Sequence, residues 1–127
     1  METQGLPWKV ETEIKDLSEI DIGIMPLPDT EWAKGKCGLK GLQYMALGIA
    51  TLMSPVGVNA DIVKHGVNGY LPKTEQDWVN QISLLIENAE LRKEIAMRGK
   101  ETVEKQYSVQ VWKQKYLDYF NQLIYTN

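Results

Sequence analysis

The chain has 127 residues, of which 43% are hydrophobic and 24% are charged, as in an ordinary soluble globular protein. Its formal net charge of −3 gives no electrostatic reason to expect nucleic acid or an anionic membrane as a partner. The single cysteine, Cys37, excludes an internal disulfide, and no apolar run approaches the roughly 20 residues that span a bilayer. Since the first residues also lack the pattern of a signal peptide, the expected location is cytoplasmic.

The chain begins with a predicted helix and a predicted strand. Val10, Ile14 and Leu17 fall at helical spacing and predict an amphipathic helix over 10–19. The run at 21–25 is apolar on both faces, which is typical of a strand in a covered parallel sheet. Two prolines stop that run, and a polar loop is expected at 29–37.

Helices and short strands alternate up to about residue 71. The predicted elements are a helix at 38–47 that ends at Gly48, a strand at 49–53, a short helix near 58–64, a turn at 65–69 and a small strand at 70–71. This alternation indicates an α/β fold with a parallel sheet between helical layers. Three strands are fewer than the usual five or six, so the sheet is expected to be truncated.

The remainder is predicted to be entirely helical. Thr74 and Asp77 resemble a capping box, and they open a helix with an apolar stripe of Trp78, Ile82 and Leu85. Asn88 is expected to cap a second helix. Ser108 begins a third, whose aromatic stripe is interpreted as core that also covers a neighbouring domain or subunit; its members are Trp112, Tyr116, Tyr119, Phe120 and Leu123.

The loop from Gly35 to Leu39 is the strongest candidate for a ligand site. It leads into the helix at 38–47, and a helix N-terminus together with closely approachable glycines suits a phosphate group. Lys36 adds a cation. Because glycine-rich loops are weak motifs, an ordinary loop-to-helix turn with a solvated lysine remains open as the alternative.

Two reactive side chains receive structural interpretations. Cys37 lies at the same helix terminus, but the sequence offers no paired base, so it is interpreted as a small buried side chain. His65 is the only histidine and is interpreted as a turn-stabilising or solvated residue. With one histidine and one cysteine, no metal site is predicted.

Five motifs in order resemble those of the group 1 glycosyltransferases, which are retaining enzymes of family four with two Rossmann-like domains (the GT-B architecture). The resemblance runs from about Trp8 to the C-terminus, and its motifs are 21–28, 35–38, 43–46, 54–57 and 65–69. It implies a Rossmann-like sheet and places residues 1–127 as one partial C-terminal domain, the distal part of the half that binds a nucleotide-activated sugar.

The family signature has two glutamates with seven residues between them, around a Gly-Phe-Gly-Leu-like loop. The corresponding residues here are Gly35 and Gln43, so both carboxylates are absent, although Gln43 can still hydrogen-bond a ribose. The resemblance implies no cofactor, since the nucleotide-diphosphate sugar is the donor substrate, and it assigns no catalytic residue. The donor-binding residues that it implies are Gly35, Lys36, Cys37, Gly38, Leu39 and Gln43.

The function implied by this resemblance is the donor-binding half of a hexosyltransferase that acts on a saccharide or lipid-linked acceptor and is inactive alone. The expected partners are a nucleotide sugar and either a missing N-terminal domain or a second copy, which could pair through an exposed edge of the strand at 21–25. Peripheral membrane association of the full-length enzyme stays open. The alternative is a non-catalytic nucleotide-binding or interaction module that works with a partner chain.

Overall fold

The computed structural model describes residues 3–125 and shows a helix-rich α/β architecture. Its elements are α1 (Glu13–Ser18), β1 (Ile22–Met25), α2 (Glu31–Lys34), α3 (Leu39–Ala46), β2 (Ala50–Met53), α4 (Asn59–Ile62), α5 (Glu75–Glu87), α6 (Ala89–Gln106) and α7 (Val109–Tyr125). The predicted sequence of alternating elements followed by helices is therefore confirmed.

The two strands form a small parallel sheet. Ile22 pairs with Ala50, and the register continues to Met25 opposite Met53. All four residues of β2 are buried, whereas within residues 3–125 β1 pairs with β2 alone. The prediction that 21–25 is covered on both faces is wrong for Ile24, which is 46% exposed because its side chain lines an open groove beside α5.

The third predicted strand, at 70–71, is reduced to a single bridge. Tyr70 pairs in parallel with Leu52. The N–H of Tyr70 donates to the Thr51 carbonyl, and the Tyr70 carbonyl accepts from the Met53 N–H, both at 3.0 Å. Pro72 follows almost at once and has no N–H to donate, so the ladder ends there.

Side chains on β2 alternate between two buried clusters. Ala50 and Leu52 pack with Leu85 and Ile95, from α5 and α6. Met53 faces the other way, into a cluster of Met45, Ile62 and Val63 from α3 and the α4 region. Because side chains on a strand point alternately to its two faces, β2 packs against α5 and α6 on one face and against α3 and the α4 region on the other. The predicted inward stripe of Trp78, Ile82 and Leu85 is confirmed.

Two local predictions near the N-terminus need correction. α1 is shorter than predicted, and Val10, which lies before its first residue, is exposed. Ile14 is exposed as well, because the neighbouring residue Glu13 is the one that faces α3. The expected loop at 29–37 contains α2. That helix begins because the hydroxyl of Thr30 accepts a hydrogen bond from the Ala33 N–H at 3.2 Å.

The aromatic stripe of α7 lies on the surface. The helix is present as predicted, but its interpretation as core is wrong, because within residues 3–125 α7 packs mainly against α6. The exposed members of the stripe are Trp112, Tyr116, Tyr119, Phe120 and Leu123, at 37–71% exposure. An apolar groove of about 610 Å³ runs along this face.

The capping box that opens α5 is formed as predicted. The Asp77 N–H donates to the Thr74 hydroxyl at 3.1 Å, and the Asp77 carboxylate accepts from the Thr74 N–H at 2.9 Å. Hydrogen bonds from the backbone N–H of Lys73 and then that of Thr74 to this carboxylate hold the pKa of Asp77 below its ordinary value. Its stabilising contribution is therefore present above the unfolded-state pKa and is lost as pH falls through the lowered folded-state pKa.

Replacing Thr74 by Ala is expected to lower the free energy of unfolding by about 1 kcal/mol, because the first turn of α5 loses its hydroxyl acceptor. Urea unfolding at neutral pH measures the change. Ser83→Ala, on the same helix but outside the box, is the control and should lose less. Equal losses in the two variants would show that the cap contributes nothing.

Candidate functional site

All six predicted donor-binding residues line one cleft. The cleft has a volume of about 580 Å³ and lies at the N-terminal end of α3, beside the end of β1. This size is within the range of small-molecule sites. The predicted residues that the structure brings together here are Gly35, Lys36, Cys37, Gly38, Leu39 and Gln43. Four further residues also line the cleft: Trp8, Glu13, Met25 and Lys40.

Gly38 shapes the floor of the cleft. It is the N-cap of α3 with φ +71°, in the left-handed region that favours glycine. A Cβ there would lie 2.6 Å from Ile62 Cδ1, so α3 begins in direct contact with α4. Because glycine has no side chain, no side-chain oxygen caps α3. The N–H groups of its first turn thus lack the partner that an ordinary cap supplies.

The N-terminus of α5 offers a contrast. A larger groove of about 840 Å³ runs past it, lined mainly by apolar side chains such as Pro26, Trp78 and Val79. Its helix N-terminus is already occupied by the Thr74 and Asp77 side chains. The smaller cleft at α3 therefore suits an anion better than this groove does, although the groove is more spacious.

Two lysines give the cleft its positive charge. Lys36 is half-buried, and its ammonium lies 4.2 Å from the centre of the Trp32 ring, a cation–π contact that holds the charge near the loop. Lys40, in the first turn of α3, forms an ion pair with Glu13 at 3.1 Å. Among the described residues, Lys36 is therefore the cation without an acidic partner at this helix terminus, where the backbone dipoles also favour an anion.

Glu13 and Trp8 were not anticipated as site residues. Glu13 Oε1 accepts from Lys40 Nζ at 3.1 Å and from Gln43 Nε2 at 3.4 Å. Gln43 Oε1 is buried and has no hydrogen-bond partner within the described chain. Lys40 could have been found from the sequence, since it lies three residues before Gln43 on the predicted helix. No local spacing signals Glu13, because 30 residues separate it from Gln43.

The structure also places the two reactive side chains. Cys37 is exposed in the cleft, so its interpretation as a buried residue is wrong; the preceding loop leaves its side chain outside the contact between Gly38 and α4. His65 stabilises its turn, as predicted, because its Nδ1 accepts from the Leu71 N–H at 3.1 Å. Residues 3–125 contain no group of three or more His, Cys, Asp or Glu side chains placed to hold a metal ion.

These features suit an anionic ligand at the edge of an α/β sheet. The cleft combines a helix N-terminus without a side-chain cap, a lysine, and glycines that permit close approach of the backbone. It lies beyond the carboxyl end of β1, the edge at which open α/β sheets bind ligands.

A sequence profile of the family described as Glycosyl transferases group 1 matches residues 8–102, well over half of the chain. The chain therefore belongs to the group 1 glycosyltransferase family. The matched region includes β1, β2 and the whole α3 cleft.

Several solved structures have a similar fold, and one of them is a member of this family. The C-terminal domain of the group 1 family protein LpcC from Francisella tularensis is 27% identical, with a TM-score of 0.70, over 84% of this chain and 53% of that one. Anabaena Alr3699/HepE, solved in complex with UDP and glucose, is 21% identical with a TM-score of 0.70, over 85% of this chain and 29% of that one. The chain thus spans about half of the first and under a third of the second.

A third neighbour is a mutant of TarM from S. aureus, in complex with Fondaparinux, alpha-GlcNAc-glycerol and UDP. It is 21% identical with a TM-score of 0.69, over 87% of this chain and 22% of that one. The Rossmann-like fold of GT-B C-terminal domains is thereby established for this chain. Separately, none of the described helices is long and apolar enough to cross a membrane.

Proposed function

We propose that the α3 cleft binds a nucleoside diphosphate sugar. The observation that carries this proposal is the start of α3, where Gly38 leaves the first turn without a side-chain cap and Lys36 lies alongside. A diphosphate placed there meets backbone N–H groups, the helix dipole and an ammonium together. Membership of the family and the UDP bound in HepE and TarM support the same ligand class.

The proposed parent reaction is transfer of a hexose-type sugar with retention, as in family four enzymes. Negative charge builds on the diphosphate as the bond to the sugar breaks. Lys36 and the N–H groups at the start of α3 are fixed in place before that charge develops, so they stabilise it electrostatically. No cofactor besides the sugar nucleotide enters this scheme, and the residue that contacts the reacting carbon is unassigned.

The acceptor site belongs, in this proposal, to an N-terminal domain or a second copy that completes the enzyme in the cytoplasm. A saccharide or lipid-linked acceptor would bind there, and the latter would bring the complete enzyme to a membrane surface. The chain alone would bind the donor without turning it over. The open edge of β1, which within residues 3–125 pairs on one side only, suits an added strand.

A second candidate is a non-catalytic nucleotide-binding module that acts with a partner chain. The replacement of both signature carboxylates by Gly35 and Gln43 favours it, since neither side chain can carry the charge of a glutamate. Both candidates place the nucleotide in the same cleft. They differ in whether sugar transfer occurs once the partner is present.

Isothermal titration calorimetry with UDP, GDP and their sugars tests the shared claim. Lys36→Gln is expected to weaken binding roughly tenfold, because a charge-assisted contact is worth about 1.5 kcal/mol or more. Lys93→Gln, which changes an exposed lysine on α6, is the matched control and should bind like the unaltered chain. Absence of binding to every nucleotide, or equal affinities in the two variants, would contradict the proposal.

A further inference from the structure

Glu13 is the single carboxylate among the residues that line the cleft, within the described part of the chain. It comes from α1, outside the glycine loop and outside α3. Its side chain is 19% exposed, so it is mostly enclosed and still reachable from the cleft. A partly enclosed carboxylate in an anion site requires a reason, since it opposes the binding of phosphate.

The surroundings of Glu13 keep it ionised. Hydrogen bonds from Lys40 and then from the Trp8 side chain hold its pKa below the ordinary value, and Gln43 contributes further. An ionised carboxylate only accepts hydrogen bonds. The ligand group that faces Glu13 must therefore be a donor, and it cannot be a phosphate.

Glu13 contacts α3 at two levels, through the long side chain of Lys40 in the first turn at 3.1 Å and through Gln43 at 3.4 Å. Gln43 lies five residues beyond Gly38, or about 7.5 Å further along the helix axis. A nucleoside diphosphate sugar has its negative charge on the phosphates and its hydroxyl donors on the sugar rings to either side. With the diphosphate at Gly38, one of those rings comes beside Glu13 and Gln43.

We propose that Glu13 binds the donor directly, by accepting hydrogen bonds from the hydroxyls of a sugar ring of the nucleotide sugar. This inference rests on the proposed function of the cleft. Glu13 accepts a hydrogen bond from the Gln43 amide, whose own Oε1 is buried, so the Glu13 carboxylate is the acceptor that faces the cleft. A carboxylate can accept about four hydrogen bonds, so its two oxygens can also accept from a pair of neighbouring hydroxyls. A carboxylate from α1 thereby enters a site whose own loop and helix contribute none.

The test compares Glu13→Gln with Glu11→Gln, a change of the same kind at an exposed residue two positions earlier. The probes are the tighter binder of UDP and GDP, its 2′-deoxy form, and the same nucleotide with glucose attached. Calorimetry measures each affinity, and circular dichroism checks that both variants are folded. The ratio between ribose and deoxyribose forms is the decisive readout, since a merely structural role of Glu13 would not change it.

If the ring is the ribose, the unaltered chain and Glu11→Gln should prefer the ribose form by roughly tenfold, and Glu13→Gln should lose that preference. If the ring is the transferred sugar, Glu13→Gln should instead lose the affinity gained from the attached glucose. Binding by the unaltered chain with both ratios intact in Glu13→Gln would overturn this inference alone. A chain that binds no nucleotide would overturn the proposed function, and this inference with it.

Discussion

Replacing Gly57 by Ala is expected to lower the free energy of unfolding by about 3 kcal/mol and to weaken nucleotide binding. Gly57 has φ +56°, where a side chain is strained by about 1–2 kcal/mol. A Cβ there would also lie 2.5 Å from the carbonyl oxygen of Lys34, which is backbone and cannot rotate away. Because Lys34 directly precedes Gly35, relief of the clash must displace the loop of the cleft. Urea unfolding and calorimetry measure the two effects.

The chain contains a matched control for this change. Gly66 has a similar conformation, with φ +74°, but nothing lies within 4 Å of the Cβ that alanine would add. Gly66→Ala should therefore lose only the free energy that corresponds to the backbone strain, about 1–2 kcal/mol, and should keep its affinity for nucleotide. If Gly57→Ala were no less stable than Gly66→Ala, the loop after β2 would not lie in close contact with the end of α2.

Truncation of Leu85 to Ala is expected to cost about 2–5 kcal/mol, the range for large-to-small changes in a packed core. Leu85 is fully buried between the sheet and α6, where it packs in the cluster that contains Leu52 and Ile95. This loss is a large part of the 5–15 kcal/mol by which small proteins are stable. Thermal and urea unfolding both measure it.

Leu84 supplies the comparison, because it is the same residue type one position earlier and is 41% exposed. Leu84→Ala should change the free energy of unfolding by about 0.5 kcal/mol or less. Similar losses at the two positions would mean that the apolar stripe of α5 faces a different direction from the one described.

Features with a local cause could be predicted from the sequence. Helical spacing placed Leu85 on the inner face of α5, and the Thr74–Asp77 pair fixed where that helix begins, since both signals act within one or two turns. The glycine loop likewise indicated the α3 cleft, because glycine conformation and helix termini are local properties.

Features that depend on tertiary contacts could not be predicted in this way. The apolar stripe of α7 has the spacing of a core helix, but spacing does not say whether another surface covers it, and Phe120 is 61% exposed. Ile14 likewise faces solvent because its neighbour Glu13 contacts α3. The contacts that orient Glu13 come from Lys40 and Gln43, which lie 27 and 30 positions further along the chain. The same long-range contact brings Glu13 into the cleft.

The central claim is that the α3 cleft binds the donor nucleotide, and an NMR titration of the isotope-labelled chain with UDP and GDP tests it most directly. The account predicts that amide shift changes concentrate at 35–43 and at Glu13, with little change along α7. Changes confined to the apolar grooves beside α5 and α7, or no change at saturating nucleotide, would contradict it.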